Sequence, residues 1–174
     1  MLRLSNALYG IPIISIRVGA VIGTTIEPII DPNDLKIIGW YCELLNRRQT
    51  MILQVSDVRE IIPEGVVVDD DHALSNPEDL VRLEKLLKIN YQLIEKVVMT
   101  DRKRRIGKVN DYTIDTGSFY ITKLYVARSL LKSFNDGQVI IDRTQIIKLT
   151  DRRVIVKDTE QRAGIRSALA IPTN

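Results

Sequence analysis

The 174 residues are 45% apolar and 27% charged, enough apolar material for the core of one ordinary domain or two small ones. A single cysteine, Cys42, excludes an internal disulfide framework and a Cys-rich zinc site, and it suits a reducing compartment. The net charge of +3 conceals an asymmetry: residues 1–80 hold 6 Lys/Arg against 12 Asp/Glu, and residues 81–174 hold 19 against 10. Halves of opposite sign either attract each other or present different surfaces to partners.

Near the N-terminus, "ALYGIPIISI" follows Arg3 and imitates a secretion signal. Tyr9, Gly10 and Pro12 interrupt its apolar stretch and Arg17 ends it, so "IPIISIRV" is expected to be a first strand instead. No apolar run approaches the roughly 20 residues needed to cross a bilayer. "LKIIGWYC", "TMILQV" and "GVVVD" follow, rich in β-branched and aromatic residues and separated by turn formers such as "DPND".

Beyond "DDDH" the apolar period changes from two to about 3.6. Leu80, Leu83, Leu87, Tyr91 and Ile94 fall on one stripe. Asn76 is placed to cap, Pro77 suits the first helical position, and Glu78 and Asp79 favour the N-terminal dipole, with Lys85 and Lys88 towards the other end. The pattern predicts an amphipathic linker helix from about Asn76 to Tyr91, its apolar stripe covering one or both neighbouring units.

The strand slots then recur as "EKVVMT", "SFYITKLYV", "GQVIID" and "RRVIVK". At an offset of 84, Ile22 and Gly23 meet Ile106 and Gly107, Ile30 and Asp31 meet Ile114 and Asp115, and Ile37 and Tyr41 meet Ile121 and Tyr125. The offset then becomes 88, where Ile52 meets Ile140, Val66 and Val68 meet Val154 and Val156, and Asp70 meets Asp158. Four extra residues near "SLLKSFNDG" account for the change and fit a hairpin tip, where insertions cost little. Short, closely spaced strands in a small unit favour a barrel, because closing the sheet removes exposed edges. The tail, "TEQRAGIRSALAIPTN", has no clear period; Ile165, Leu169 and Ile171 are available to dock as a short strand or to fold on a partner.

"ALYGIPIISIRVGAVIGTTIEPIIDPNDLKIIGWYC" followed by "ILQVSDVREI" resembles a PRC-barrel domain, and "KVVMTDRKRRIGKVNDYTID" followed by "RTQIIKLTDRRVIVKD" repeats it. The resemblance covers nearly all of residues 6–158 and rests on turn and core residues in tandem order. The first copy departs from the pattern: "RVGAVIG" lacks the usual Asp-Gly pair, and Asp57 stands where the second copy has Gln145. The family includes the C-terminal domain of the ribosome-maturation factor and the cytoplasmic domain of the photosynthetic reaction centre H subunit. The resemblance implies an adaptor that docks onto other proteins, in some settings beside RNA or a membrane.

Several residues invite chemistry. Arg102, Lys103, Arg104, Arg105 and Lys108 could contact phosphates or an acidic partner, or simply solvate a hairpin turn. Asp69, Asp70, Asp71 and His72 lack the glycine and carboxylate spacing of a calcium loop and read as a solvated strand exit. "GAVIGTT" has no lysine for a phosphate loop and fits a strand return. Nothing orients Cys42 and His72 as nucleophile and base, so no catalytic, cofactor or metal residue is assigned. In the third strand of each copy, Leu35, Ile37 and Tyr41, matched by Phe119, Ile121 and Tyr125, form the expected core face. The other face is apolar too and must be covered by the helix, the sister unit or a partner. That makes Ile38, Trp40, Tyr120 and Leu124 the candidate interface, with Trp40 expected to be more than half buried in it.

The reading is therefore mainly β: two small PRC-type β-barrels, residues 1–73 and 94–158, joined by an amphipathic α-helix in residues 74–93 and followed by a tail, 159–174. The expected function is a non-catalytic adaptor, cytoplasmic or peripheral at the inner membrane surface, with a protein partner or a second copy of itself. RNA or an acidic membrane surface stands as the alternative partner of the basic hairpin. No cofactor and no small-molecule substrate is expected.

Overall fold

The computed structural model describes residues 1–45, 47–127 and 138–158, and β-branched and aromatic runs place most of them in strands. In chain order these are β1 (Leu2–Leu4), β2 (Pro12–Ser15), β3 (Ala20–Asp31), β4 (Lys36–Leu44), β5 (Arg47–Gln54), β6 (Val58–Ile62), β7 (Gly65–Val68) and β8 (Leu74–Ser75). After the helix α1 (Glu84–Ile89) come β9 (Val97–Thr100), β10 (Arg105–Asp115), β11 (Ile121–Ala127), β12 (Val139–Asp142), β13 (Ile146–Leu149) and β14 (Arg153–Val156).

They form two sheets of one design. The first runs β6-β7-β2-β3-β4-β5-β8, and the second runs β13-β14-β9-β10-β11-β12 with β1 added to β10. Each has one parallel pair, β2 with β7 and β9 with β14, among antiparallel neighbours. Register confirms the internal repeat: Trp40 lies opposite Leu53 as Leu124 lies opposite Ile141. The offset changes between β4 and β5, so the insertion falls between Ala127 and Val139; "SLLKSFNDG" itself lies outside the described residues.

Three expectations need correction. Hydrogen bonding does not close either sheet into a barrel: among the described residues each is an open path of strands. The corner between β5 and β6 is a single 3-10 turn, Val55–Asp57, matched by Arg143–Gln145, and the ladder is interrupted there. The linker is not one long helix. It holds a 3-10 turn at Pro77–Asp79 and only six residues of α-helix. The Asn76 side chain does not cap; it bonds Gln49 and Asp79 instead, while Leu74 and Ser75 pair with β5. Asn90, left-handed at φ 41°, ends the helix.

The third correction concerns the core face. β3 and β4 change register between the Ile29–Gly39 and Ile30–Ile37 pairs, so Ile38 is a bulge. β10 and β11 shift likewise at Thr122. A bulge reverses the alternation beyond it. Ile37, Trp40 and Cys42 therefore face the core together, as do Ile121, Leu124 and Val126, while Tyr41 and Tyr125 are only half-buried.

The halves meet about a local two-fold. Ile37 N donates to Phe119 O and Ile121 N donates to Leu35 O, both at 2.9 Å, with a bridge between Lys36 and Tyr120. The residues involved are equivalent positions of the repeat: Leu35 and Phe119, Lys36 and Tyr120, and Ile37 and Ile121 each stand 84 positions apart. Leu35 and Phe119 both take positive φ, 49° and 60°, a conformation that strains an L-residue and persists where surroundings enforce it. Here the reciprocal hydrogen bonds and burial of both side chains enforce it. Trp40 is 0% exposed and meets the Phe119 ring edge-on, centroids 5.9 Å apart, so the two cores merge into one cluster.

Replacing Trp40 by Ala empties a site shared by both halves. The expected cost is about 3–5 kcal/mol, read from urea denaturation. A loss under about 1 kcal/mol would show that the tryptophan does not anchor the seam.

Candidate interaction surfaces

The basic residues lie on the β9–β10 hairpin. Lys103 N donates to Thr100 O at 2.9 Å and Arg104 N to Thr100 Oγ1 at 3.2 Å, with Lys103 left-handed at φ 65°. Arg102, Lys103, Arg104, Arg105 and Lys108 are all exposed, so the turn and the start of β10 carry five exposed cations. Asp158 holds Arg104 at 3.1 Å and Glu95 holds Lys108 at 2.7 Å. Asp158 N also donates to Asp101 Oδ1 at 3.2 Å, tying the end of β14 to the turn.

The counterpart turn of the first half, Ile16–Gly19, has the same frame and opposite chemistry. Ile16 N bonds Val68 O as Asp101 N bonds Val156 O, and Arg17 meets Asp70 at 3.4 Å as Arg104 meets Asp158. Its tip, however, is apolar: Ile16 is 61% exposed and Val18 60%, with Leu45 at 62% on the adjoining β4–β5 turn. Beside them Val18, Val21, Ile22, Leu44, Leu45 and Met51 line a groove of about 710 Å³, with Arg17 and Asp71 also in its wall. Sequence reading missed this surface. The signal was present in "IRVG", a turn carrying two β-branched residues where its partner carries cations.

The four candidate interface residues do not share one free face. Trp40 and Leu124 are wholly enclosed, and the Trp40 indole N–H has no acceptor among the described residues, so packing alone holds it. Ile38, at the bulge, is half-buried. Tyr120 is 36% exposed at the seam, with Arg143 4.2 Å and Lys36 5.1 Å from its ring centre.

Two carboxylates of the acidic stretch, Asp69 and Asp70, form ion pairs. Arg59 grips Asp69 through both carboxylate oxygens at 2.7 and 2.6 Å, Arg17 meets Asp70, and Asp70 Oδ1 accepts from His72 N. Among the described residues no group of three or more His, Cys, Asp or Glu is placed to hold a metal. Burial pushes the Cys42 thiol up to about 12, far from a reactive thiolate, and its S–H points at Trp40 O. "GAVIGTT" runs into β3 as a strand return.

The family model of the PRC-barrel domain matches residues 90–163, which span the whole strand order of the second sheet from β9 to β14. No curated protein matches the chain. PRC-barrel domains form a family of protein-interaction modules. The half outside the match carries the same strand order.

One carboxylate at the seam titrates far from its ordinary range. The Ser118 hydroxyl, 2.7 Å away, and the Met1 ammonium, 3.1 Å away, hold Asp115 down at about 2 against an ordinary 3.8. The folded state thus binds this proton less readily than the unfolded chain. Its stabilisation is full above the ordinary value and is lost as pH falls towards 2. Asp115→Asn should flatten the decline in urea midpoint between about pH 4 and pH 2. An unchanged slope would mean that other carboxylates govern the acid limb.

Proposed function

We propose that the chain is a non-catalytic adaptor built from two β-sheet units of PRC-type strand order, residues 1–73 and 94–158 joined through 74–93, whose dissimilar ends hold different protein partners. One observation carries this reading. Corresponding hairpins of one frame end in Ile16 and Val18 on one side and in Arg102, Lys103 and Arg105 on the other. The seam bridge is antiparallel, so β4 and β11 leave it in opposite directions and carry the two ends apart. A frame that spaces two unlike surfaces acts by bringing two ligands together. The apolar end suits a protein surface, because an exposed aliphatic patch beside a groove gains by being covered.

The second reading gives the basic end a phosphate-rich partner, RNA or the ribosome, and the clustered exposed cations favour it. Aromatic residues are only 5% of the chain, which gives little stacking surface for single strands. For compartment, the buried single cysteine is compatible with a reducing cytoplasm, free or peripheral to the inner membrane surface. Among the described residues no helix is long and apolar enough to cross a membrane.

Affinity capture from a native lysate, in nuclease-treated and untreated halves, separates these readings. Val18→Glu should remove one set of nuclease-resistant partners, and the double change Arg102→Glu, Arg105→Glu should remove another. Partners unaffected by either variant would overturn the two-ended adaptor. Partners lost with nuclease and steeply with salt would install the nucleic-acid reading.

A further inference from the structure

The two sides of the seam are not filled alike. On one side the chain's own first strand bridges the halves. β1 pairs with β10, Thr116 N donates to Met1 O at 2.8 Å, and Arg3 Nη2 donates to Ile62 O at 3.3 Å, at the end of β6. The other side holds a groove of about 390 Å³. Residues 32–35, which follow β3, form one wall, and Arg143 with β13 (Ile146–Leu149) forms the other. At offsets of 84 and 88 these walls correspond to residues 116–119 and 58–61, the turn and the strand that β1 joins. Residues 86–88 stand 84 positions after β1, but they belong to α1, which packs beside β3 and puts no residue in the groove wall. Ile147 in that wall is 51% exposed.

The charge of the two sides is reversed. On the filled side β1 brings Arg3 to a strand that carries Glu60. In the groove Lys148 holds the place of Glu60, as their pairing with Ile155 and Val67 shows, and Arg143 holds the place of Val55. Lys36 adds a third cation: it and Arg143 lie 5.1 and 4.2 Å from the centre of the same Tyr120 ring. Among the described residues none of the three forms an ion pair, and Asp34 is the one carboxylate in the wall. Like charges gathered at one ring repel, and an anion placed beside them offsets that repulsion. Pro32 stands where Thr116 donates to Met1, and it has no N–H to offer. An incoming chain therefore lies along β13, where Ile147 supplies an apolar contact. The filled side is bridged by an extended polypeptide, which favours the same kind of occupant here over a nucleic acid.

We propose that this groove holds an extended acidic segment of a partner protein, lying along β13 with its carboxylates toward Arg143 and Lys148. The segment does for this side of the seam what β1 does for the other. The groove shares no lining residue with either hairpin tip, so the inference stands or falls independently of the two-ended adaptor reading.

The test uses the full chain and a fluorescein-labelled octapeptide of alternating glutamate and valine, followed by fluorescence anisotropy. The acidic peptide is expected to bind about tenfold more tightly than the matching peptide of alternating lysine and valine. Arg143→Glu with Lys148→Glu should weaken binding about tenfold. Arg102→Glu with Arg105→Glu, an equal change of charge at the basic hairpin, should weaken it less than about twofold. As a second readout, a bimane label on Ile147→Cys should change its emission when the peptide binds; Ile147 is exposed, and Cys42 is buried and does not take the label. No binding, equal binding of the two peptides, equal loss in the two charge variants, or an unresponsive label would overturn the proposal. A labelled single-stranded RNA octamer bound in preference to the acidic peptide, and lost with Arg143 and Lys148, would overturn it in favour of a nucleic-acid groove.

Discussion

The structure turns on two reciprocal hydrogen bonds, Ile37 to Phe119 and Ile121 to Leu35. Each uses the backbone beside a left-handed residue that is not glycine, so the turn between the third and fourth strands of one half is completed by the other half. Leu35 and Phe119 could relax to ordinary backbone only by giving up these bonds and exposing buried side chains. Trp40 then binds the two cores across the same axis. The halves are therefore coupled where each is locally least comfortable, and the geometry is that of a symmetric dimer written into one chain.

The ends of the copies reinforce this exchange. β1 pairs with β10, and the 3-10 turn after it places Ser5 against Asp111, so the first copy's opening segment lies on the second sheet. In return α1 packs beside β3, and Gln92 reaches Glu27. The exchange is not symmetrical in kind. Just after β10, Thr116 N donates to Met1 O, and within it Tyr112 N donates to Asp111 Oδ1. At the corresponding positions, just after and within β3, stand Pro32 and Pro28, which have no N–H. The first sheet thus blunts with prolines, and covers with a helix, the edge that the second sheet fills with a strand.

Most of the strand frame was legible in the sequence because period-two runs and turn formers are local signals. Both offsets of the repeat survive in the registers, including the change between β4 and β5. What escaped depends on relations that a single strand does not contain. The bulges at Ile38 and Thr122 reverse the core face through the partner's register, so Tyr41 and Tyr125 looked inward and Trp40 looked outward. The linker has a good helical stripe, yet pairing of Leu74 and Ser75 with β5 and the bonds of Asn76 consume its start. Tertiary hydrogen bonds outweigh propensity there. The five cations were found as a run, whereas the apolar tip was missed because Ile16 and Val18 continue a strand-like pattern into a turn.

Two copies in one chain allow a comparison that a single unit does not. Positions that agree in both copies belong to the frame. Gly23 and Gly107 sit where a Cβ would fall 2.5 Å and 2.0 Å from a carbonyl oxygen on the adjacent strand, which leaves no room for a side chain at either. Asp70 and Asp158 each hold an arginine of the neighbouring hairpin. Positions that disagree within that frame are released from it. The hairpin tips disagree completely, aliphatic against cationic, although the strands and the carboxylate beneath them coincide. A charge difference needed only for solubility would not require one copy to expose Ile16, Val18 and Leu45 together. The divergence is concentrated where the fold imposes least, and that is where surfaces are free to be shaped by what they bind.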